Sequence, residues 1–211
     1  MKTDTELREE FVAFCHSLFV RGYATGGAGN VSLRLPSGHI LTTPTGSSLG
    51  RLHMDRLSVV SMDGEHLSGD RPSKEAEFHL ALYREKPECG AIVHLHCTAL
   101  TAISCMEDLD YSNALKACTP YYIMRVGQLP VVPYYKPGDA RIARDLARLA
   151  SNNNAFLLAN HGPVICGKDI ADAVDNAEEL EESAKLAMML KGHQVRYLTA
   201  EEQQELHEMR K

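Results

Sequence analysis

Strands interleaved with helices predict a single α/β or α+β layered domain over residues 1–211. Short, apolar, partly β-branched runs such as Cys89-Gly-Ala-Ile-Val-His-Leu-His96 and Ala155-Phe-Leu-Leu-Ala159 alternate with stretches whose apolar residues recur at helical spacing. No internal repeat, low-complexity segment or linker interrupts that alternation. A chain of 211 residues, 44% hydrophobic and 24% charged, has enough apolar material for one substantial core.

Leu7, Phe11, Phe14, Cys15, Leu18 and Phe19 mark an amphipathic first helix, with Asp4 or Thr5 to cap it and Gly22 to close it. The glycine loop Thr25-Gly-Gly-Ala-Gly-Asn-Val-Ser32 then enters a hairpin of β-type segments, Val31 to Leu35 and His39 to Thr43, turned by Pro36-Ser-Gly38. A strand from Leu57 to Met62 precedes a polar stretch through Asp70. Ser73 is the predicted N-cap of a helix from Lys74 to Arg84, which puts Glu75 in its first turn. Cys89 to His96 reads as a strand that leads through Thr98 into another helix. Tyr121 to Val126 is a further β-type segment, and Pro130 to Pro137 is expected to be irregular. A helix from Asp139 to Ala150, a strand ending at Asn160-His-Gly-Pro163, a long helix capped by Asp169 and closed by Gly192, and a short helix from Thr199 complete the chain.

The net charge of −6 is dispersed, and no Lys/Arg run interleaved with aromatics marks a nucleic-acid surface, so a small-molecule partner is expected. A charged N-terminus and the absence of 18 consecutive apolar residues argue against export and membrane insertion. The six cysteines are scattered without a Cys-x-x-Cys pair, which predicts free thiols and a cytoplasmic setting.

Successive strand residues alternate faces, so His94 and His96 project together while Leu95 and Cys97 point away. A third imidazole, from His161 at another strand end, would make a three-histidine set with an open position, the pattern of catalytic rather than structural zinc. The competing reading of the pair is two satisfied structural histidines. Glu75 has the chemistry of a fourth ligand or a general base, and equally that of a carboxylate at the positive end of a helix, as Glu77 does. His79, four residues on, shares the Glu75 face, reads as a ligand or a simple helix-surface partner, and is expected outside the ligand set. The remaining histidines have no sequence partners.

Gly26-Gly-Ala-Gly-Asn30 and Thr43-Pro-Thr-Gly-Ser-Ser48 offer amides and hydroxyls that suit a phosphate, or are simply two tight turns. Neither has the Gly-Lys-Ser/Thr of a nucleotide loop. Ser73 and Lys74 would add a hydroxyl and a cation to the same anion site.

Taken in order, Gly29-Asn-Val-Ser32, Thr43-Pro-Thr-Gly46, Ser73-Lys-Glu75, His94-Leu-His96 and Asn160-His-Gly162 resemble the class II aldolase/adducin family across nearly the whole chain. The resemblance implies a three-layer α/β/α sandwich around a mainly antiparallel sheet. It also implies Zn2+, or another divalent transition metal, held by His94, His96 and His161, with Glu75 at the metal as acid/base. Asn30, Thr45, Gly46 and Ser73 would hold substrate phosphate, joined by Lys74, which stands where the family's aldolases carry a second serine. The epimerase branch has aspartate where this chain has Glu75, which favours lyase chemistry.

Arg71-Pro-Ser-Lys-Glu-Ala76 and Thr119-Pro-Tyr-Tyr-Ile-Met-Arg-Val-Gly127 look most like the 3-oxo-tetronate 4-phosphate decarboxylase branch. That likeness implies release of carbon dioxide from a phosphorylated four-carbon 3-oxo acid, leaving dihydroxyacetone phosphate, in sugar acid catabolism. A fuculose phosphate aldolase-like cleavage to dihydroxyacetone phosphate and an aldehyde passes through the same enediolate, so the metal site does not separate the two reactions. A non-catalytic adducin-like interaction module is the third reading. Tyr121 is the expected proton donor, with Tyr122 as its alternative and simple packing as the bland explanation for both. The family further implies a homotetramer in which Tyr121 serves a neighbouring subunit.

Overall fold

The computed structural model describes residues 2–209. Helix α1 (Asp4–Val20) is capped by Thr3, not by Asp4 or Thr5. The Glu6 amide donates to the Thr3 hydroxyl, and the Thr3 amide donates to the Glu6 carboxylate. Such a reciprocal box needs an acidic residue three positions on, which Thr3 has and Asp4 and Thr5 lack. Strands β1 (Asn30–Arg34), β2 (Ile40–Thr42), β3 (Ser58–Val60) and β4 (His66–Ser68) follow. The second half of the chain runs α2 (Ala76–Glu85), β5 (Ala91–His94), α3 (Thr98–Ser104), α4 (Pro120–Arg125), β6 (Val131–Val132) and α5 (Ala140–Leu149). It ends with β7 (Ala155–Leu158), β8 (Gly162–Gly167), α6 (Ile170–Met189) and α7 (Ala200–Met209).

All eight strands form one sheet in the order β4-β3-β2-β1-β5-β8-β7-β6, antiparallel except for the β6–β7 pair. Alternation along the strands loads both faces. Val31, Leu33, Val93 and Ile165 face a core closed by α1, α3, α4 and α6, while Ile40, Ile92, Val164 and Cys166 face one closed by α2 and α5. The result is the expected α/β/α sandwich with a mainly antiparallel sheet. Among the described residues no helix is long and apolar enough to cross a membrane.

Several elements depart from their predicted form. The segment read as β-type from Tyr121 to Val126 is helix α4, because Thr119 caps it and Pro120 occupies its first position. The polar stretch before Asp70 contributes β4 at the sheet edge, and Val131–Val132 within the proline-rich stretch pairs with β7. Helix α2 starts at Ala76 rather than Lys74. Ser73 instead makes a turn, its hydroxyl accepting from the Glu75 amide at 3.2 Å and its carbonyl from the Ala76 amide at 3.1 Å. Glu75 therefore stands at the N-cap position, outside the first turn.

Two glycines let other backbone segments press on the His94–His96 stretch. A Cβ on Gly29 (φ +82°) would lie 2.8 Å from the His94 carbonyl oxygen, and one on Gly162 would lie 2.3 Å from that of Leu95. Both oxygens belong to backbone that cannot yield without moving the sheet. Gly162→Ala is expected to cost about 2–4 kcal/mol, read as a lowered urea midpoint at constant slope. An unchanged midpoint would mean that this approach does not constrain the fold.

Candidate metal centre

Antiparallel pairing brings the ends of three strands to one place. His94 is the last residue of β5, where it faces Asn30, the first of β1, and Val164 in β8. His161 sits in the β7–β8 turn, entered through Asn160 at φ 54°, with its amide donating to the Leu158 carbonyl. His96 lies two residues beyond the end of β5, just before α3. The first amides of α3 are held by a buried carboxylate on α6: Ala99 and Leu100 donate to Glu181 at 2.9 and 3.0 Å. The short His96-bearing link is thus fixed at both ends.

One nitrogen from each of His94, His96 and His161 lies within 4.8 Å of the others, and these three form a metal-type cluster among the described residues. The rings meet edge to face, with centroids 4.8 to 5.0 Å apart. His94 Nδ1 is 2.8 Å from the Pro163 carbonyl. A carbonyl only accepts, so Nδ1 carries the proton and Nε2 presents a lone pair to the cluster, 3.1 Å from His96 Nε2. Burial, and then the neighbouring His161 and His96, hold His94 well below the ordinary imidazole range. Burial, then His161, lowers His96 to about 4. His161 is lowered by burial, with Glu75 opposing the shift. Three neutral imidazoles are therefore ready as donors at neutral pH. Glu75 closes the set, its Oε2 3.5 Å from His94 Nε2 and its Oε1 3.5 Å from His161 Nε2. Three imidazoles with one carboxylate fit a borderline divalent transition ion.

Glu75 Oε2 also accepts from Asn30 Nδ2 at 2.7 Å. Asn30 is buried, and its Oδ1 lies 2.7 Å from His79 Nε2. His79 is buried as well, not on the helix surface, and desolvation lowers it to about 3. Its Nδ1 is 2.7 Å from the Ser32 hydroxyl, which is 2.9 Å from the Tyr83 hydroxyl. The side chain expected on phosphate thus spends its carbonyl and one N–H within the protein. The spacing held a signal for this arrangement: Glu75, His79 and Tyr83 recur every four residues, and Asn30 and Ser32 every two. Glu181, contributed by a distant helix, had no local signal.

The other predicted anion-binding residues lie on two neighbouring loops, joined where Pro44 pairs with Pro72. Thr45 donates its amide to the Arg71 carbonyl at 2.9 Å, and Ser73 donates its amide to Thr43 at 3.4 Å. Thr45, Gly46 and Lys74 are exposed, and Ser73 is half-buried. Tyr121 is 63% exposed and lines a cavity of about 540 Å³ together with Cys89, Gly167 and Lys168. Cys89 and Gly167 mark the ends of β5 and β8 opposite to His94 and His161, so Tyr121 is remote from its own protomer's imidazoles. Tyr122 is buried in packing, its hydroxyl donating to Asn113 Oδ1 at 3.1 Å.

The family model described as the class II aldolase and adducin N-terminal domain matches residues 9–188. A 3-oxo-tetronate 4-phosphate decarboxylase of Escherichia coli (strain K12) is 60% identical over 205 residues, 97% of each chain. An L-fuculose phosphate aldolase of Methanocaldococcus jannaschii is 33% identical, over 86% of this chain and 96% of its own. The crystal structure of YgbL from Escherichia coli superposes with a TM-score of 0.96 at 58% identity, covering 98% of this chain and 100% of that one.

The lowered imidazoles set a pH dependence. Unfolded rings take protons below the ordinary 6.5, whereas His96 resists protonation until about 4 and His79 until about 3. The unfolded chain then binds more protons, so stability present above 6.5 is lost as pH falls through that window. Thermal melts of the chelated protein should fall steeply between about pH 6.5 and about pH 4, and added zinc should raise the melting temperature above pH 6.5 and extend the fall to lower pH. A flat profile would contradict imidazoles held neutral in the folded protein.

Proposed function

The chain belongs to the class II aldolase and adducin family, and from that premise we propose that it is a zinc-dependent lyase converting 3-oxo-tetronate 4-phosphate to dihydroxyacetone phosphate and carbon dioxide. The observation that carries the reading is the convergence of three neutral imidazoles, with Glu75 at 3.5 Å from two of them. The choice of substrate is supported by the relative that bears this decarboxylase name and is 60% identical over 97% of its length. The intact trio and carboxylate speak against a non-catalytic module.

His94, His96 and His161 would hold the zinc, with the His94 ring fixed by its Pro163 bond. When bound, zinc supplies Lewis-acid stabilisation of the charge that develops on the 3-oxo group as the carboxylate departs. The protein's own residues handle phosphate and protons. Thr45, Gly46, Ser73 and Lys74 receive the phosphate on two adjoining loops, and Asn30, also expected on phosphate, holds Glu75 through one N–H. Departure of carbon dioxide leaves an electron pair on C2, which one proton must quench to give dihydroxyacetone phosphate. Asn30 occupies Glu75 Oε2, so Glu75 takes the C2 hydroxyl proton at Oε1 as carbon dioxide leaves and returns it to that oxygen once C2 has been protonated by the donor. Tyr121, remote from its own site, is assigned as donor to the site of a neighbouring protomer, which fits the homotetramer that the family resemblance implies. The chain acts as one cytoplasmic domain, a setting consistent with its free thiols.

Carbon dioxide and dihydroxyacetone phosphate should appear in equal amounts from 3-oxo-tetronate 4-phosphate generated in situ. Chelation should abolish turnover, zinc should restore it, and Glu75→Gln should lower kcat by about 10²- to 10⁴-fold. Cleavage of a ketose phosphate to an aldehyde, with no carbon dioxide from the four-carbon acid, would replace the decarboxylase with an aldolase.

A further inference from the structure

The buried residues behind Glu75 form one unbroken line of short contacts. Glu75 Oε2 to Asn30 Nδ2 is 2.7 Å, Asn30 Oδ1 to His79 Nε2 is 2.7 Å, His79 Nδ1 to Ser32 Oγ is 2.7 Å and Ser32 Oγ to Tyr83 Oη is 2.9 Å. Asn30, Ser32, His79 and Tyr83 are all buried, so water offers them no alternative partners.

An ionised carboxylate only accepts, so the Asn30 group facing Glu75 is its NH2 and the group facing His79 is its carbonyl. That carbonyl accepts, so His79 Nε2 carries the proton. The neutral ring then has a lone pair at Nδ1, which takes the Ser32 hydroxyl proton. Ser32, with its only proton committed, accepts from the Tyr83 hydroxyl. Each of the four short contacts thereby pairs one donor with one acceptor. The reverse assignment turns the Asn30 carbonyl toward Glu75 and sets two acceptors 2.7 Å apart.

We infer that His79 is a positioning residue for Glu75, locked by Ser32 and Tyr83 so that the Asn30 amide can hold the base's Oε2 in only one sense. This inference rests on the lyase reading for its effect on rate, but its hydrogen-bond assignment stands apart from it. Ser32, His79 and Tyr83 reach the base through Asn30. They select one Asn30 orientation and one Glu75 rotamer, which leaves Oε1 free on the side of the imidazole trio.

Two measurements test it on the zinc-loaded enzyme. Long-range 15N correlation spectra of histidine-labelled protein, with the His79 signals assigned by their loss in His79→Gln, should show a neutral His79 protonated at Nε2. His79→Leu should lower kcat by about 10- to 100-fold with KM and bound zinc unchanged. His79→Gln, whose amide can still donate to Asn30, should recover most of that loss, and Tyr83→Phe should show a smaller loss in the same direction. Protonation at Nδ1, an unchanged kcat in His79→Leu, a loss that tracks departure of zinc, or a Gln variant no better than Leu would each overturn the inference. If the wild-type enzyme released no carbon dioxide, the lyase reading would fall, and the 15N spectra alone would judge the chain of hydrogen bonds.

Discussion

Three imidazole nitrogens are held within 4.8 Å of one another, His94 buried, His161 half-buried and His96 exposed, and the rest of the architecture serves that demand. Such a cluster is unfavourable without a cation. Protonated rings would repel, and neutral rings aim lone pairs at one another with nothing between them. The backbone must therefore impose what the side chains would avoid. His94 is imposed by its strand and its bond to Pro163. His161 is imposed by a turn bent through Asn160 and tucked under Leu95 at Gly162. His96 is imposed by the short link into α3, whose start Glu181 anchors.

The sheet also acts as a ruler for the residues behind the metal centre. Two residues of strand advance about 6.6 Å, and four residues of helix advance about 6 Å. The near match lets Asn30 and Ser32 on β1 keep step with Glu75, His79 and Tyr83 on or before α2. Each strand residue bridges two successive helix residues. The polar ladder is a consequence of ordinary repeats laid side by side, and it orients the base without any irregular backbone.

The parts of this arrangement that were legible in the sequence are those set by local periodicity. The two-residue spacing of His94 and His96 placed both imidazoles on one side, and the strand before His161 marked a second strand end. The buried ladder was only half legible. The four-residue recurrence of His79 after Glu75 was visible, but whether that face met solvent or β1 depended on sheet order, which no local pattern encodes. The segment bearing Tyr121 took a different form from the one expected, for another reason. It carries aromatic and β-branched residues typical of strands, and the Thr119-Pro120 start overrode that preference. Glu181 was illegible because a carboxylate in the middle of a long helix looks solvated until its distant partner is known.

The metal centre alone does not determine which bond breaks. Decarboxylation and aldol cleavage share an enediolate, a Lewis acid and a base, so discrimination falls to groups that quench the carbanion and hold the far end of the substrate. In this chain the residues proposed for those tasks lie off the rigid sheet. Lys74 is exposed beside the base, on a loop rather than in a helix. Tyr121 stands on α4, beyond the opposite ends of β5 and β8. If Tyr121 is the donor in the proposed reaction, the step that follows loss of carbon dioxide belongs to the assembly, whereas binding of metal and phosphate belongs to the protomer. The sheet would then fix the chemistry common to the family, and loops and subunit contacts would fix the branch taken.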